Sequence, residues 1–190
     1  MISAILLAAG KSTRMGGENK LIKVIKDKSL IIHSINNILN SSIEELIIVL
    51  GYQKDIIQKL INKNKKIKFT FNKDFQNGMA SSINVGLNNL SKKTEAFFIC
   101  LGDMPMVNSN IYNELIKHRK KKDIIVPICK NRQGNPILFN ISMKQKILGI
   151  KGDIGAKKIL ELNKDQILNI EIKDHCVIED FNTQKDFNSL

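Results

Sequence analysis

Apolar residues in this chain fall into short unbroken runs, separated by longer stretches in which they recur every three or four positions. The runs "ISAILL" from Ile2, "ELIIVL" from Glu45, "IKFTF" from Ile67, "EAFFICL" from Glu95 and "DIIVPI" from Asp123 are rich in β-branched and aromatic residues and end in turn residues. Runs of that length and type, bounded by turn residues, predict strands. Between them, Leu30, Ile31, Ser34, Ile35, Ile38 and Leu39 fall on one helical stripe, and Ile56, Ile57, Leu60 and Ile61 repeat the pattern in the next crossover. Strands alternating with helices predict an α/β fold with a mainly parallel sheet in three layers. No repeat, low-complexity segment or proline-rich linker divides the 190 residues, so the expectation is one domain, 1–190. Its ligand is expected outside the carboxyl ends of the strands.

Composition narrows the class. The chain is 43% hydrophobic and 25% charged, and no apolar run approaches the roughly 18 residues of a membrane span. The first residues lack the basic start, long apolar stretch and cleavage site of a secretory signal, so a cytoplasmic protein with no membrane partner is expected. Cys100, Cys129 and Cys176 are odd in number and widely spaced, as reduced thiols would be. The formal charge of +12 comes almost entirely from lysine, with arginine only at positions 14, 119 and 132. The lysines are scattered and aromatic residues make up 5% of the chain, so nucleic acid is not the expected partner. The densest basic run, "KHRKKKD" from Lys117, reads as the solvated end of a helix. His33, His118 and His175 sit in no motif.

Two stretches carry chemistry. "LLAAGKSTRMGGENK" follows the first predicted strand, and Gly10, Gly16 and Gly17 let its backbone approach a ligand closely. Its N–H groups, with Arg14 and Lys20, suit several anionic oxygens, which predicts a phosphate site. The spacing fits neither GxGxxG nor a P-loop, because the "GKS" at Gly10 lacks the upstream glycine. The fourth strand ends in "GDMP", which places Asp103 at the ligand edge. A carboxylate there suits Mg2+, which takes one or two carboxylates plus phosphate oxygens and water. The structural alternative is that Asp103 caps the helix beginning near Ser109.

Three further signals are weaker singly. In "NGMASSINVG", Ser81 or Ser82 would cap a helix and Gly86 would permit close packing, while the small residues offer a surface for a nucleobase. In "QGNPILF", Asn135 and Pro136 open an apolar strand. In "KGDIGAKKIL", Asp153 precedes a helix whose first turn holds Gly155 and Ala156.

Taken in order, "LLAAGKSTRMGGENK", "GMASSINVG", "LGDMP", "GNPILF", "GDIGAKKIL" and "DFNT" resemble the MobA-like nucleotidyltransferase family, and within it most closely the molybdenum cofactor cytidylyltransferases. The resemblance runs from Ser3 to about Phe187. It implies a Rossmann-like nucleotidyltransferase fold and transfer of CMP from CTP to the phosphate of molybdopterin, with release of pyrophosphate and a molybdenum hydroxylase receiving the product. The guanylyltransferase relatives typically carry a second glycine where this chain has Ala9. By the same resemblance, Arg14, Lys20 and Asp103 are the catalytic residues and Asp103 holds the metal. Leu7, Ala8, Ala9, Gly10, Ser12, Gly16, Lys20, Gly78, Ser81 and Ser82 bind the nucleotide, and Asn135, Pro136, Asp153 and Gly155 face the acceptor. One departure stands out: the family's closing motif usually reads DIDT, and here "DFNT" offers Asp180 and Asn182. Asn182 gives a metal a neutral oxygen and no charge.

Nucleotidyl transfer needs no nucleophilic side chain, because the acceptor phosphate supplies the attacking oxygen. The same loop and "GDMP" would also serve a guanylyltransferase or a sugar-phosphate nucleotidyltransferase. A non-catalytic nucleotide or molybdopterin carrier would keep the glycine loop but has little use for a metal ligand beside it.

Overall fold

The computed structural model describes residues 1–12, 18–149 and 156–181. The main elements are β1 (Ile2–Ala8), α1 (Leu30–Leu39), β4 (Glu45–Leu50), β5 (Ile67–Phe71), α3 (Met79–Asn88), β6 (Ala96–Leu101), β7 (Ile124–Cys129), β9 (Ile137–Asn140) and β10 (Ile167–Glu171). The chain's order also includes a small β2–β3 ribbon (Val24–Ile25, Lys28–Ser29), α2 (Lys54–Leu60), α4 (Ser109–Lys117), β8 (Arg132–Gln133), α5 (Lys144–Leu148) and α6 (Ala156–Leu162).

All five predicted strands form, in one sheet of order β10-β7-β9-β6-β1-β4-β5, with β8 paired to β7. β1 pairs in parallel with both β4 and β6, and β4 with β5. β9 runs antiparallel between β6 and β7, and the short β8 antiparallel to β7, so the sheet is mainly parallel with two reversed strands. Two buried clusters lie on its two faces. One gathers the apolar sides of α1, α2 and α4 with the even positions of β1, and the other takes in α3, α5 and α6 with Ile5 of β1. Phe97, Phe98 and Phe139 are fully buried, Phe97 stacking on Phe139 at 5.6 Å and Phe98 meeting Tyr112 edge-on at 5.4 Å. Each such side chain contributes roughly 1.5–3 kcal/mol by its burial.

The α1 stripe is buried as predicted except for the half-buried Leu39, and its one polar member, Ser34, donates its hydroxyl to the Gly102 carbonyl at 3.1 Å. The second stripe needs correction: Ile57 and Ile61 are buried, whereas Ile56 and Leu60 are 46% and 42% exposed. Only the Ile57 and Ile61 side of this short helix joins the core, and the edge strand β5 is itself partly open at Phe69 and Phe71. Ser81 and Ser82 are not caps. α3 starts at Met79, behind Gly78 at φ 92°, and both hydroxyls accept hydrogen bonds from Asn72 inside the first turn. Gly86 does pack closely: a Cβ there would lie 2.3 Å from Cγ2 of Ile5. The three cysteines are free and buried, and burial pushes the Cys100 thiol up to about 12. In the basic run Lys117 and Lys120 to Lys122 are exposed, as at a solvated helix end, while His118 and Arg119 are half-buried. No helix among the described residues is long and apolar enough to cross a membrane.

Candidate functional site

A cavity of about 790 Å³ opens at the carboxyl ends of β1 and β6, where the parallel strands were expected to present a ligand. One wall is the chain leaving β1, from Leu7 to Ser12. A second is Leu101, Gly102 and Asp103 at the end of β6, and a third is the approach to α3, from Phe75 to Met79 with Ser82.

Asp103 sits on a loop pinned residue by residue. Gly102 donates its N–H to the Leu7 carbonyl at 3.1 Å, extending the β1–β6 ladder one step beyond the strand, and its carbonyl accepts from Ser34. The Asp103 carbonyl accepts from the Phe181 N–H at 3.0 Å, and the Pro105 carbonyl from Asn37 Nδ2 at 2.8 Å. Asp103 does not cap α4. That role belongs to Asn108, whose side chain accepts from the N–H groups of Asn110 and Ile111.

Lys20 reaches the same cavity from the far end of the glycine loop. It opens a short 3-10 turn, Lys20–Ile22, in which Asn19 accepts from the Leu21 N–H at 3.1 Å. Leu21 is buried against Gly102, where a Cβ would meet Leu21 Cδ2 at 3.2 Å, so the turn is nailed beneath Asp103. The Lys20 N–H donates to Ser12 Oγ at 3.2 Å, which draws the two ends of the loop together. The Lys20 ammonium donates to Asp103 Oδ2, and both side chains are about 15% exposed (14% and 16%). A charge pair this sheltered interacts far more strongly than one at an open surface.

The structure therefore brings Leu7, Ala8, Ala9, Gly10, Ser12, Lys20, Gly78, Ser82 and Asp103 together around one cavity. Ser81 lies beside it, its hydroxyl donating to the Gly78 carbonyl at 2.8 Å. Asn135 and Pro136 do not line it: Pro136 is buried, and the Asn135 N–H donates to the Val177 carbonyl at 2.8 Å. Arg14, Gly16, Asp153, Gly155 and Asn182 lie outside the described residues.

Some lining residues were not foreseen. Lys11 holds its ammonium 5.8 Å from the centre of the Phe75 ring across the cavity mouth, and Gln76 and Asn77 offer exposed amides beside it. Lys11 was readable, as a cation in the same loop. Phe75 through Asn77 carried no periodic signal and are recognisable only once β5 and α3 are in place. The charged groups among the described lining residues are Lys11, Lys20 and Asp103, a positive excess that favours an anionic ligand.

A twisted, mostly parallel sheet between two helical layers, with a cation-bearing loop and a strand-end carboxylate at its carboxyl edge, is the architecture of a nucleotide-binding α/β protein. Residues 4–168 match the MobA-like NTP transferase domain, and the chain belongs to that family. The probable molybdenum cofactor guanylyltransferase of Methanosarcina acetivorans is 30% identical over 152 residues, 78% of this chain and 67% of that protein. The bifunctional protein GlmU of Staphylococcus carnosus is 25% identical over 136 residues, 70% of this chain, and the match spans only 29% of that much longer relative. Among solved structures, Rv0371c of Mycobacterium tuberculosis superimposes with a TM-score of 0.87 at 21% identity, covering 99% of this chain and 95% of its own. The same protein has been solved in complex with manganese. That likeness establishes the nucleotidyltransferase fold.

Proposed function

We propose that this chain transfers a nucleoside monophosphate from a nucleoside triphosphate to the phosphate of molybdopterin, releasing pyrophosphate, with CTP as the donor. The observation that carries the reading is the sheltered meeting of Lys20 and Asp103 in a cavity at the carboxyl edge of the sheet. A carrier needs only to bind; a cation and a carboxylate converging on one point suit a reaction in which phosphate charge redistributes.

In this reading Lys20 and Arg14 hold the triphosphate, Lys20 as a point charge and Arg14 as a planar fork of donors. The loop N–H groups and Ser12 order the remaining oxygens. The wall from Phe75 to Ser82 takes the base, with the Phe75 ring offering a face and Gln76 and Asn77 hydrogen-bonding groups. The Asp103 carboxylate fits a hard divalent cation such as Mg2+: it lines the cavity wall, it already faces positive charge, and phosphate oxygens and water would complete the shell. Bound there, the metal would neutralise charge on the departing pyrophosphate. The pinned Gly102–Pro105 loop keeps the carboxylate from drifting, so alignment is set before the substrates arrive.

The choice of CTP rests on Ala9. It is buried at the cavity wall with its methyl packed towards Gly51, at the position where the guanylyltransferase relatives typically carry a second glycine. The Methanosarcina relative favours a second reading, GTP as the donor. Pyrophosphate release with magnesium and molybdenum cofactor, measured for CTP, GTP, ATP and UTP in parallel, tests both. Release with CTP is expected, together with a shift towards GTP in Ala9→Gly. A wild-type preference for GTP replaces the donor, and no release with any nucleotide from folded protein overturns the transferase reading.

A further inference from the structure

We infer that the segment following β10, from Asp174 to Phe181, is a strap that positions Asp103 through its backbone, and that the "GNP" and "DFNT" motifs serve as its two fastenings. The inference rests on Asp103 being the carboxylate of the site.

β10 is the edge strand, three places away from β6 in the sheet order β10-β7-β9-β6. From that edge the chain crosses back beneath β7 and β9 to the end of β6. Its path is marked by two hydrogen bonds between backbone groups far apart in sequence: Asn135 N–H to the Val177 carbonyl at 2.8 Å, and Phe181 N–H to the Asp103 carbonyl at 3.0 Å. Asp174 starts the crossing by accepting the Cys176 N–H at 2.9 Å. At the fastenings Cys176, Val177 and Phe181 are buried, in the same apolar cluster as Cys100, Met104 and Val107, while Glu179 and Asp180 between them are exposed.

The fit at the first fastening is too close for any side chain. A Cβ on Gly134 would lie 2.4 Å from the Val177 carbonyl oxygen and 2.9 Å from its carbon. Both atoms are backbone, so the strap could not yield by turning a rotamer. Glycine is thus required here for space, and the following Asn135 supplies the donor.

None of the described residues of the strap lines the cavity. Its influence on the site runs through the Asp103 peptide. Neighbouring elements hold Gly102 and Pro105, namely β1 and α1, but the Asp103 carbonyl is held by Phe181. Without that anchor the Asp103 backbone would be free to shift, and a shift of its Cα would carry the carboxylate away from Lys20. Misplacing a reacting group by about 1 Å can cost 10²-fold in rate, and groups that orient a metal ligand are worth roughly 10–100-fold in affinity or activity. Phe181 and Gly134 are on this account positioning residues. Asp180, which precedes Phe181 and is exposed, and Asn182, outside the described residues, are not needed for the effect.

The test uses the full chain with Gly134→Ala, Phe181→Ala and the conservative Phe181→Leu, checked for folding by thermal unfolding. Hydrogen exchange over residues 101–106 should quicken about 10-fold in Gly134→Ala and Phe181→Ala, with the amides of β1 and β4 unchanged. Manganese affinity should weaken by about 10-fold, and turnover should fall similarly while KM for the nucleotide moves less than about threefold. Phe181→Leu should recover most of each effect. Where Phe181→Ala does not fold, Gly134→Ala and Phe181→Leu decide. Unchanged exchange over 101–106 with unchanged manganese affinity overturns the strap, and so does a loosening spread evenly over the whole sheet. A wild-type protein inert towards every nucleotide would sink the transferase reading alone, because the exchange measurement needs no turnover.

Discussion

Glu45 and Asp103 are both carboxylates paired with a lysine at the end of a buried strand, one at the amino edge of the sheet and the other at the carboxyl edge. Glu45 accepts from Ser3 Oγ at 2.8 Å, from the Ser91 N–H at 3.2 Å and from Lys68 at 2.5 Å, and Ser3 is itself bonded to Thr94. Hydroxyl, backbone and ammonium donors thus enclose one buried charge. Asp103 meets the Lys20 ammonium and otherwise faces a cavity. The contrast shows how similar residues divide the work: where fixed donors fill the carboxylate's coordination, the pair holds strands together, and where a cavity takes their place, it remains available to a ligand.

The sharpest way to break the comparison is at the open end. Asp103→Ala or Lys20→Ala should lower pyrophosphate release by roughly 10²-fold or more, the scale of losing one preorganised electrostatic group, with little change in melting temperature. Near-normal rates in the folded variants would remove both residues from the chemistry. At the closed end the signs reverse. Glu45→Ala should cost about 1–3 kcal/mol by leaving buried donors unsatisfied, lowering the melting temperature at about 2–4 °C per kcal/mol while turnover per folded molecule is kept.

Acid should sharpen the contrast further. Burial pushes the Glu45 carboxyl up, but the hydrogen bonds from Lys68, Ser3 and Ser91 outweigh it and hold the group below its ordinary 4.5. A carboxyl depressed by folding stabilises fully above its unfolded value and loses that contribution as pH falls through the folded one. The stability gap between wild type and Glu45→Gln should therefore be constant above roughly pH 5 and close as the pH falls below 4.5. A gap that persists undiminished at pH 3 would show that the charge does not matter. The smallest effect belongs to Lys68→Ala, under about 1 kcal/mol, because that side chain is 59% exposed.

What could be read in the sequence follows the same division. Strands buried on both faces announce themselves as apolar runs, so β1, β4, β6 and β7 were visible, the half-exposed edge strand β5 showed through its β-branched and aromatic residues, and the turn chemistry after β1 and β6 marked Lys20 and Asp103. β10 was not seen, because "ILNIE" is half exposed and too mixed to stand out. "ILF" was readable as a strand, but its reversed insertion between β6 and β7 is a long-range pairing that no local pattern records. Phe75, Gln76 and Asn77 reach the cavity only through the juxtaposition of β5 with α3, and the place of Ser34 on an apolar stripe is explained only by its acceptor, the distant Gly102 carbonyl. Local chemistry was legible, whereas contacts made across the chain were not.

Gly86 lies about two helical turns beyond the start of α3, with β1 pressed against its bare Cα. The same helix carries Met79 and Ser82 into the cavity wall. A methyl at position 86 would have to push Ile5 aside or lift the helix, and lifting it would move that wall away from Ala9 across the opening. The missing side chain thus works as a gauge block, setting the width of the slot from a place no substrate reaches, and a change in the size of molecule accepted could begin there without altering any residue of the site.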